Sequence, residues 1–454
     1  MNEKKPIIVR NGRIIDPGQG IDRVSDLLVI DGLVNTIDVE IEGIIDAQQI
    51  NAKGLVVCPG FIDIHCHLRE PGFESKETIR TGTKAAVSGG FTTVCAMPNT
   101  DPVTDSSAVV QLVQQIARSE GVARVFNIGA VTKGSNGNEL AQLAELADAG
   151  VIGFSDDGSP VSDPNIMRNA LSYSSMFGLP IINHCEVREL SYGGVMNEGR
   201  VSDRLGLKGI PNASEEIMVA RDIALSELTG GWVHIAHVST AGAVEIIKRA
   251  KEKGIKVTCE VTPHHLTLND DTVIGGGNSS CYSLANGLGD SAYDTNAKVS
   301  PPLRTKADAE AMVEALKTGV VDLIATDHAP HSELQKKCTF EEAAFGISVL
   351  ETALGSMMSL VHNGDISLHL MIDKLTSAPA KFLRKPYIGT FKQGNYADVT
   401  IFDPDAEWKV DSSEFASKGG NTPLDGKTMK GKIVTTIMDG IIRYEDRTGY
   451  RNLD

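Results

Sequence analysis

Histidines and carboxylates recur in this chain in positions from which one or two divalent ions could collect them. His65 and His67 form an H-x-H pair in the run FIDIHCH. Residues i and i+2 of a strand point to the same side, so both imidazoles can reach one ion. Further along, His184 stands in NHCE, His234 and His237 in HIAHVS, and Asp327 in ATDHAPH, while Asp156 and Asp157 form a carboxylate pair in FSDDG. Neutral imidazole and carboxylate are ligands for zinc and similar ions. An H-x-H pair alone is a weak signal, but its companions at the ends of four other β-rich runs make a metal site the reading. A divalent metal held there can supply a nucleophile at neutral pH and polarise a carbonyl.

These residues need a scaffold that gathers strand ends. Eight apolar, β-rich runs recur through the middle of the chain: GLVVCPGFIDIHCH, FTTVCAMP, RVFNIGAV, GVIGFSDDG, PIINHCE, WVHIAHVS, KVTCEVTPHH and VDLIATDHAPH. Segments of helical periodicity separate them, such as SKETIRTGTKAAVSGG and AGAVEIIKRAKEKG. Eight β/α units predict an α/β fold of the (β/α)8 TIM-barrel type, in which functional residues gather at the C-terminal strand ends. An open doubly wound sheet has the same alternation, but no G-x-G-x-x-G follows the first strand. Toward the two ends, PIIVRNGRIID, DLLVIDGLV, EGIIDA, ADVTIFD, GKIVTTIMDG and IIRY read as short strands with hairpin signals. They predict a small β domain built from both termini, residues 1–55 and 390–454, around a catalytic barrel of residues 56–389. Residues 274–297, rich in Gly, Ser, Asn and Asp, read as a surface insertion or a lid over the barrel mouth.

Composition narrows the partners. Of 454 residues, 41% are hydrophobic and 22% charged, which suits a globular core, and the formal net charge of -16 argues against nucleic acid and anionic membranes. The seven cysteines are widely spaced without a C-x-x-C pair, as expected in a reducing cytoplasm. The sequence shows no signal-peptide pattern and no apolar run long enough to span a membrane.

GFIDIHCHLREPG, KETIRTGTKAAVSGGFTTVCAMPNT, FSDDGSPV, NHCE, HVST, TPHHL, SPPLR, ATDHAPH and AFGISVLE occur in this order. Together they resemble the type I dihydroorotases of the amidohydrolase superfamily over roughly residues 6–445. The resemblance implies a zinc enzyme of pyrimidine biosynthesis, with one or two Zn2+ per subunit, that reversibly cyclises N-carbamoyl-L-aspartate to L-dihydroorotate. It makes His65 and His67 ligands of a first zinc and His184 and His237 ligands of a second, with Asp157 bridging. Asp327 becomes the last ligand and the catalytic base. His67, Arg69, Asn99 and His331 match substrate-binding positions, with the backbone of Phe345 and Gly346 closing the pocket. His234 is not a ligand position, and His264 and His265 read as supporting residues. Ser300 departs from the pattern, since the family usually has Asn before Pro-Pro-Leu-Arg, and a hydroxyl reaches less far than an amide. A homo-oligomer is expected, and association with aspartate transcarbamoylase remains open.

Two other readings compete. Hydantoinases, dihydropyrimidinases and allantoinases share the superfamily but bridge their metals with a carboxylated lysine after the fourth strand. This chain has no lysine between Lys133 and Lys208. An inactive, dihydroorotase-like structural partner of aspartate transcarbamoylase would be expected to lack ligands, and all of them are here.

Overall fold

The computed structural model describes residues 5–38, 41–44, 46–275 and 292–446. It is an α/β fold in which two sheet systems meet. The first draws on both ends of the chain: β1 (Ile7–Asp16), β2 (Ile21–Ile30), β3 (Leu33–Asp38), β4 (Gln48–Asn51), β5 (Val56–Pro59), β15 (Val399–Lys409), β16 (Thr428–Met438) and β17 (Ile441–Glu445). They pair in the order β17-β16-β15-β5-β1-β2-β3, with β4 added beside β1. Alternating side chains such as Val9, Leu27, Val57, Val399 and Ile437 bury one face of this sheet in its own apolar core. The described residues of EGIIDA, 42–44, 46 and 47, are in no strand; the strand follows at Gln48–Asn51, paired parallel to β1.

The second system is parallel. β6 (Phe61–Cys66), β7 (Phe91–Ala96) and β8 (Arg124–Asn127) form one sheet. β9 (Ile181–Asn183), β12 (Val233–Ile235), β13 (Val257–Val261) and β14 (Leu323–Ile324) form another. Single parallel bridges join them: Gly129 to Phe154, Phe154 to Ile181, and Cys66 to His328. The pairings thus pass through eight positions and return to the first. The run GVIGFSDDG contributes only the Phe154 bridges and no full strand. Two of its three glycines, Gly150 with φ of 92° and Gly153 packed against Pro180, interrupt a ladder. Two short strands, β10 (Met196–Asn197) and β11 (Gly209–Ile210), pair with each other.

Helices follow most parallel strands and bury one face on them, including Ile79–Ser88, Ser107–Glu120, Asn212–Thr229, Ala241–Glu252 and Lys306–Thr318. Their ends obey local rules. Thr240 caps Ala241–Glu252 by accepting from the Ala243 N–H, and Gly230, left-handed at φ of 68°, ends Asn212–Thr229. No helix among the described residues is long and apolar enough to cross a membrane. Cys281 lies outside the described residues; the other six cysteines are free, five of them buried.

The sequence run GLVVCPGFIDIHCH reads as one strand but serves both systems, with Pro59–Gly60 as the hinge. A Cβ on Gly60 would lie 2.2 Å from the Thr92 hydroxyl, so only glycine lets the chain pass there. Beside this hinge the two systems are tied by charge. Arg124 of β8 reaches Asp398 Oδ2 and Asp439 Oδ1, each at 2.5 Å, and Asp398 is buried. Arg124→Ala would leave the Asp398 carboxylate buried without its cation. We expect it to lower unfolding free energy by about 3 kcal/mol, read as a lower urea midpoint. An unchanged midpoint would mean the pair adds nothing net.

Candidate metal centre

The end of the first parallel strand is locked to the end of the eighth. Asp63 Oδ1 accepts from the Thr326 and His65 N–H groups, and its Oδ2 accepts from the Thr326 hydroxyl at 2.6 Å. The Asp327 N–H donates to His65 O, and the His67 N–H to His328 O, both at 2.9 Å. This interlock brings Asp327 to the H-x-H pair. His67 Nε2 lies 3.0 Å from Asp327 Oδ1 and 3.4 Å from Asp157 Oδ2. His65 Nε2 is 3.5 Å from each of the same two oxygens. On the other side His237 Nε2 is 3.4 Å from Asp157 Oδ1.

Two triplets, His65–His67–Asp327 and His65–Asp157–His237, each offer ligand atoms within 4.8 Å of one another. All five residues are buried. His65 Nε2 and Asp157 Oδ1 have no hydrogen-bond partner although both are sealed from solvent. Buried polar atoms are rarely left so, and these two face the space a cation would fill. With imidazole and carboxylate as the donors, the residues fit a divalent metal. His184 is outside both triplets: its Nδ1 is 2.9 Å from His237 Nε2 and 3.9 Å from Asp157 Oδ1. It stands at the edge of the cluster, with its Nε2 3.5 Å from Glu186.

The carboxylates divide sharply. Burial alone would raise the pKa of Asp157, but the surrounding imidazoles of His65, His237 and His67 hold it well below the usual range. Asp327 is likewise lowered against burial, chiefly by the neighbouring imidazole of His67. Asp156 turns the other way. It accepts from the Val131 and Thr132 N–H groups and the Thr132 hydroxyl, and so shapes the loop. Three pocket residues hold left-handed backbone: Arg69 at φ of 63°, His237 at 32° and Asp327 at 48°. Non-glycine residues occupy that region at a cost, and such residues cluster at functional sites.

A cavity of about 460 Å³ opens over the centre. Its lining includes His67, Asp157, His184, His237 and Asp327 together with Arg69, Asn99, Ser300, His331, Phe345 and Gly346. The expected site residues are thus brought together. The supporting histidines lie apart. His265 bonds Thr262 and the Pro301 carbonyl, while His264 is buried with neither ring nitrogen paired. Among the lining residues not singled out from the sequence are Glu186, Arg188, Tyr192 and Ile210, and the charged run NHCEVREL beside His184 was the available signal. Glu260, buried against His65 and His234, was also missed. The 274–297 insertion falls mostly on residues 276–291, outside the described residues.

A family model described as dihydro-orotase-like matches residues 54–243. A dihydroorotase of Caldanaerobacter subterraneus subsp. tengcongensis is 46% identical over 449 residues, covering 99% of each chain. One of Anaeromyxobacter dehalogenans (strain 2CP-1) is 48% identical over 440 residues, covering 97% of this chain and 98% of its own. The chain belongs to the dihydroorotase family. Among solved structures, L-hydantoinase from Arthrobacter aurescens superposes with a TM-score of 0.84 at 25% identity, covering 97% of this chain and 96% of its own. Dihydropyrimidinase from Brevibacillus agri, at 24% identity and a TM-score of 0.81 over 96% and 94%, shares the fold.

In this member of the dihydroorotase family one wall of the cavity is cationic. Arg69 Nε donates to the Pro330 carbonyl, and its Nη2 lies 3.5 Å from His331 Nε2. Burial lowers the Arg69 pKa to about 10, so it stays charged at neutral pH. His331 Nε2–H donates to the Phe345 carbonyl at 2.7 Å, which joins this wall to the loop ending in Gly346. A Cβ on Gly346 would lie 2.6 Å from the Ala329 carbonyl, so glycine is required. The buried Lys336 ammonium ties the same loop down, donating to the carbonyls of Thr295, Lys298 and Ala344. Burial, and then the neighbouring Arg69, push the His331 pKa down to about 3. The unfolded chain takes up this proton near pH 6.5 and the folded chain near 3. The folded state therefore loses stability as pH falls from about 6.5 toward 3. His331→Asn should lose less of its urea midpoint than the parent between pH 6.5 and 4. Parallel loss in both proteins would contradict a neutral His331.

Proposed function

We propose that this chain interconverts N-carbamoyl-L-aspartate and L-dihydroorotate at a zinc centre of one or two ions, as a dihydroorotase of pyrimidine biosynthesis. The observation that carries this reading is Asp157, whose two oxygens lie between the H-x-H pair and His237. In this reading His65, His67 and Asp327 hold one metal position, His237 and His184 the other, and Asp157 bridges. The eight parallel pairing positions support closure into a (β/α)8 barrel. The terminal sheet then forms a small β domain ending at Gly60 on the N-terminal side, because β5 pairs with β1 and β15.

A bound divalent cation supplies Lewis acidity for the carbonyl and activates the attacking water. The side chains do the rest. Asn99 Oδ1 accepts from His67 Nδ1–H at 2.9 Å and so turns the His67 Nε2 lone pair to the centre. Arg69 offers its guanidinium fork to the carboxylate that substrate and product share. Ser300 lines the same cavity and offers a hydroxyl. In ring opening, water adds to the ring carbonyl, Asp327 takes a proton from it, and the same carboxyl returns the proton to the departing ring nitrogen. In the cyclising direction the ureido nitrogen adds to the side-chain carboxyl carbon, Asp327 moves the proton, and water departs.

The hydantoinase-type alternative draws on the superposed structures, but neither flanking lysine reaches the centre: Lys133 pairs with Glu139 at the surface and Lys208 donates to the Tyr192 carbonyl. The scaffold alternative is disfavoured by the intact ligand set. The test is ring opening of dihydroorotate by zinc-loaded protein, with hydantoin, dihydrouracil and allantoin in parallel and a chelated control. Chelator-sensitive turnover of dihydroorotate alone is expected. Turnover of another ring overturns the substrate, and no turnover by metal-loaded protein overturns the enzyme. Asp327→Asn should keep the fold but lose at least about 100-fold in kcat; near-normal turnover would remove Asp327 from proton transfer.

A further inference from the structure

β13 carries a single charged residue, Glu260, in the otherwise uncharged run VTCEV. The side chain is completely buried. Its Oε1 lies 2.5 Å from His65 Nδ1 and 3.3 Å from the His237 backbone nitrogen, and its Oε2 lies 3.1 Å from His234 Nε2. The Trp232 indole N–H can only donate, and it reaches the Thr258 hydroxyl oxygen at 2.8 Å. Glu260, ionised, can only accept, so His234 carries a proton on Nε2 and donates it to Oε2. In the neutral ring His234 Nδ1 is then bare and accepts the Thr258 hydroxyl hydrogen, also at 2.8 Å. Thr258 and His234 are Cα partners in the β12–β13 ladder, and Thr258 and Glu260 share one face of β13, so the backbone sets up the whole chain.

An ionised carboxylate only accepts. His65 must then carry its proton on Nδ1, and its lone pair stays on Nε2, the atom that faces Asp157 and Asp327 without a hydrogen-bond partner. The same Oε1 accepts the N–H of His237, whose backbone is left-handed.

We propose that Glu260 is a positioning residue of the metal centre, which sets His65 as the Nδ1–H tautomer and holds the backbone of His237, and so prepares one ligand on each side of Asp157 before any ion binds. The inference rests on the metal-centre reading above. Partners of this kind tune affinity by about 10–100-fold.

The test uses the full chain and the isosteric Glu260→Gln. The glutamine amide would point N–H groups at one of two N–H donors, so one imidazole must change tautomer. Zinc affinity is read by competition with a chromophoric chelator, cobalt absorption reports the coordination geometry, and the imidazole nitrogen spectrum of the metal-free parent, assigned with His65→Gln, reads the tautomers. We expect His65 as Nδ1–H in the parent, and in Glu260→Gln zinc binding about 10–100-fold weaker with an altered cobalt spectrum. If Glu260→Gln binds zinc within twofold of the parent with the same cobalt spectrum, the role of Glu260 falls while the centre stands. If the parent binds zinc no better than His65→Ala, the centre itself falls, and the proposal with it. If the variant does not fold, the parent spectrum decides alone, and His65 found as Nε2–H overturns the proposal.

Discussion

Everything in this protein depends on two stretches of chain, 260 residues apart, meeting in one register. His67 and Asp327 form no useful pair unless the first parallel strand lies beside the eighth with no slip. A one-residue shift would turn every alternate side chain to the wrong face. The constraint is met at the backbone, through the paired N–H and carbonyl groups of residues 65–67 and 327–328, and by a buried carboxylate, Asp63, aimed at Thr326. Burial lifts the Asp63 pKa to about 7, against the pull of its three hydrogen bonds. An acid held this way is tolerable only because nearly all its lone pairs are engaged. Register, rather than any single contact, decides whether a centre exists.

Much of the site was legible in the sequence because chemistry at a strand end breaks an apolar pattern. His65, His67, His237, Asp157 and Asp327 all interrupt or close such runs, and the structure brings them into one cluster. Glu260 was not legible, since one acid inside VTCEV reads as a half-exposed strand position until its neighbours are known. The pairing of His184 with His237 is also invisible from sequence, because it depends on ring orientation. Asp156 and Asp157 are adjacent and alike in type, and only the loop amides of Val131 and Thr132 separate their roles.

The fold was legible in its alternation and less so in its seams. GVIGFSDDG has strand composition, yet its glycines leave only one bridging residue on each side. GLVVCPGFIDIHCH has the pattern of one strand, yet Gly60 hands the chain from the terminal sheet to the parallel one. Local pattern reports burial and extension; it does not report which neighbour supplies the hydrogen bonds. Charge then completes the seam, as Arg124 reaches from β8 to two aspartates of the terminal segment.

The interlock of first and last parallel strands also bears on how the protein is made. Synthesis runs in one direction at about 5–20 residues per second, so some 10–50 s separate the emergence of His67 from that of Asp327. During that interval the H-x-H pair lacks its carboxylate partner, and β5 lacks β15. A nascent chain can offer an ion only a partial set of ligands, and a partial set discriminates poorly among metals. Selective loading therefore waits until Asp327 has joined the H-x-H pair.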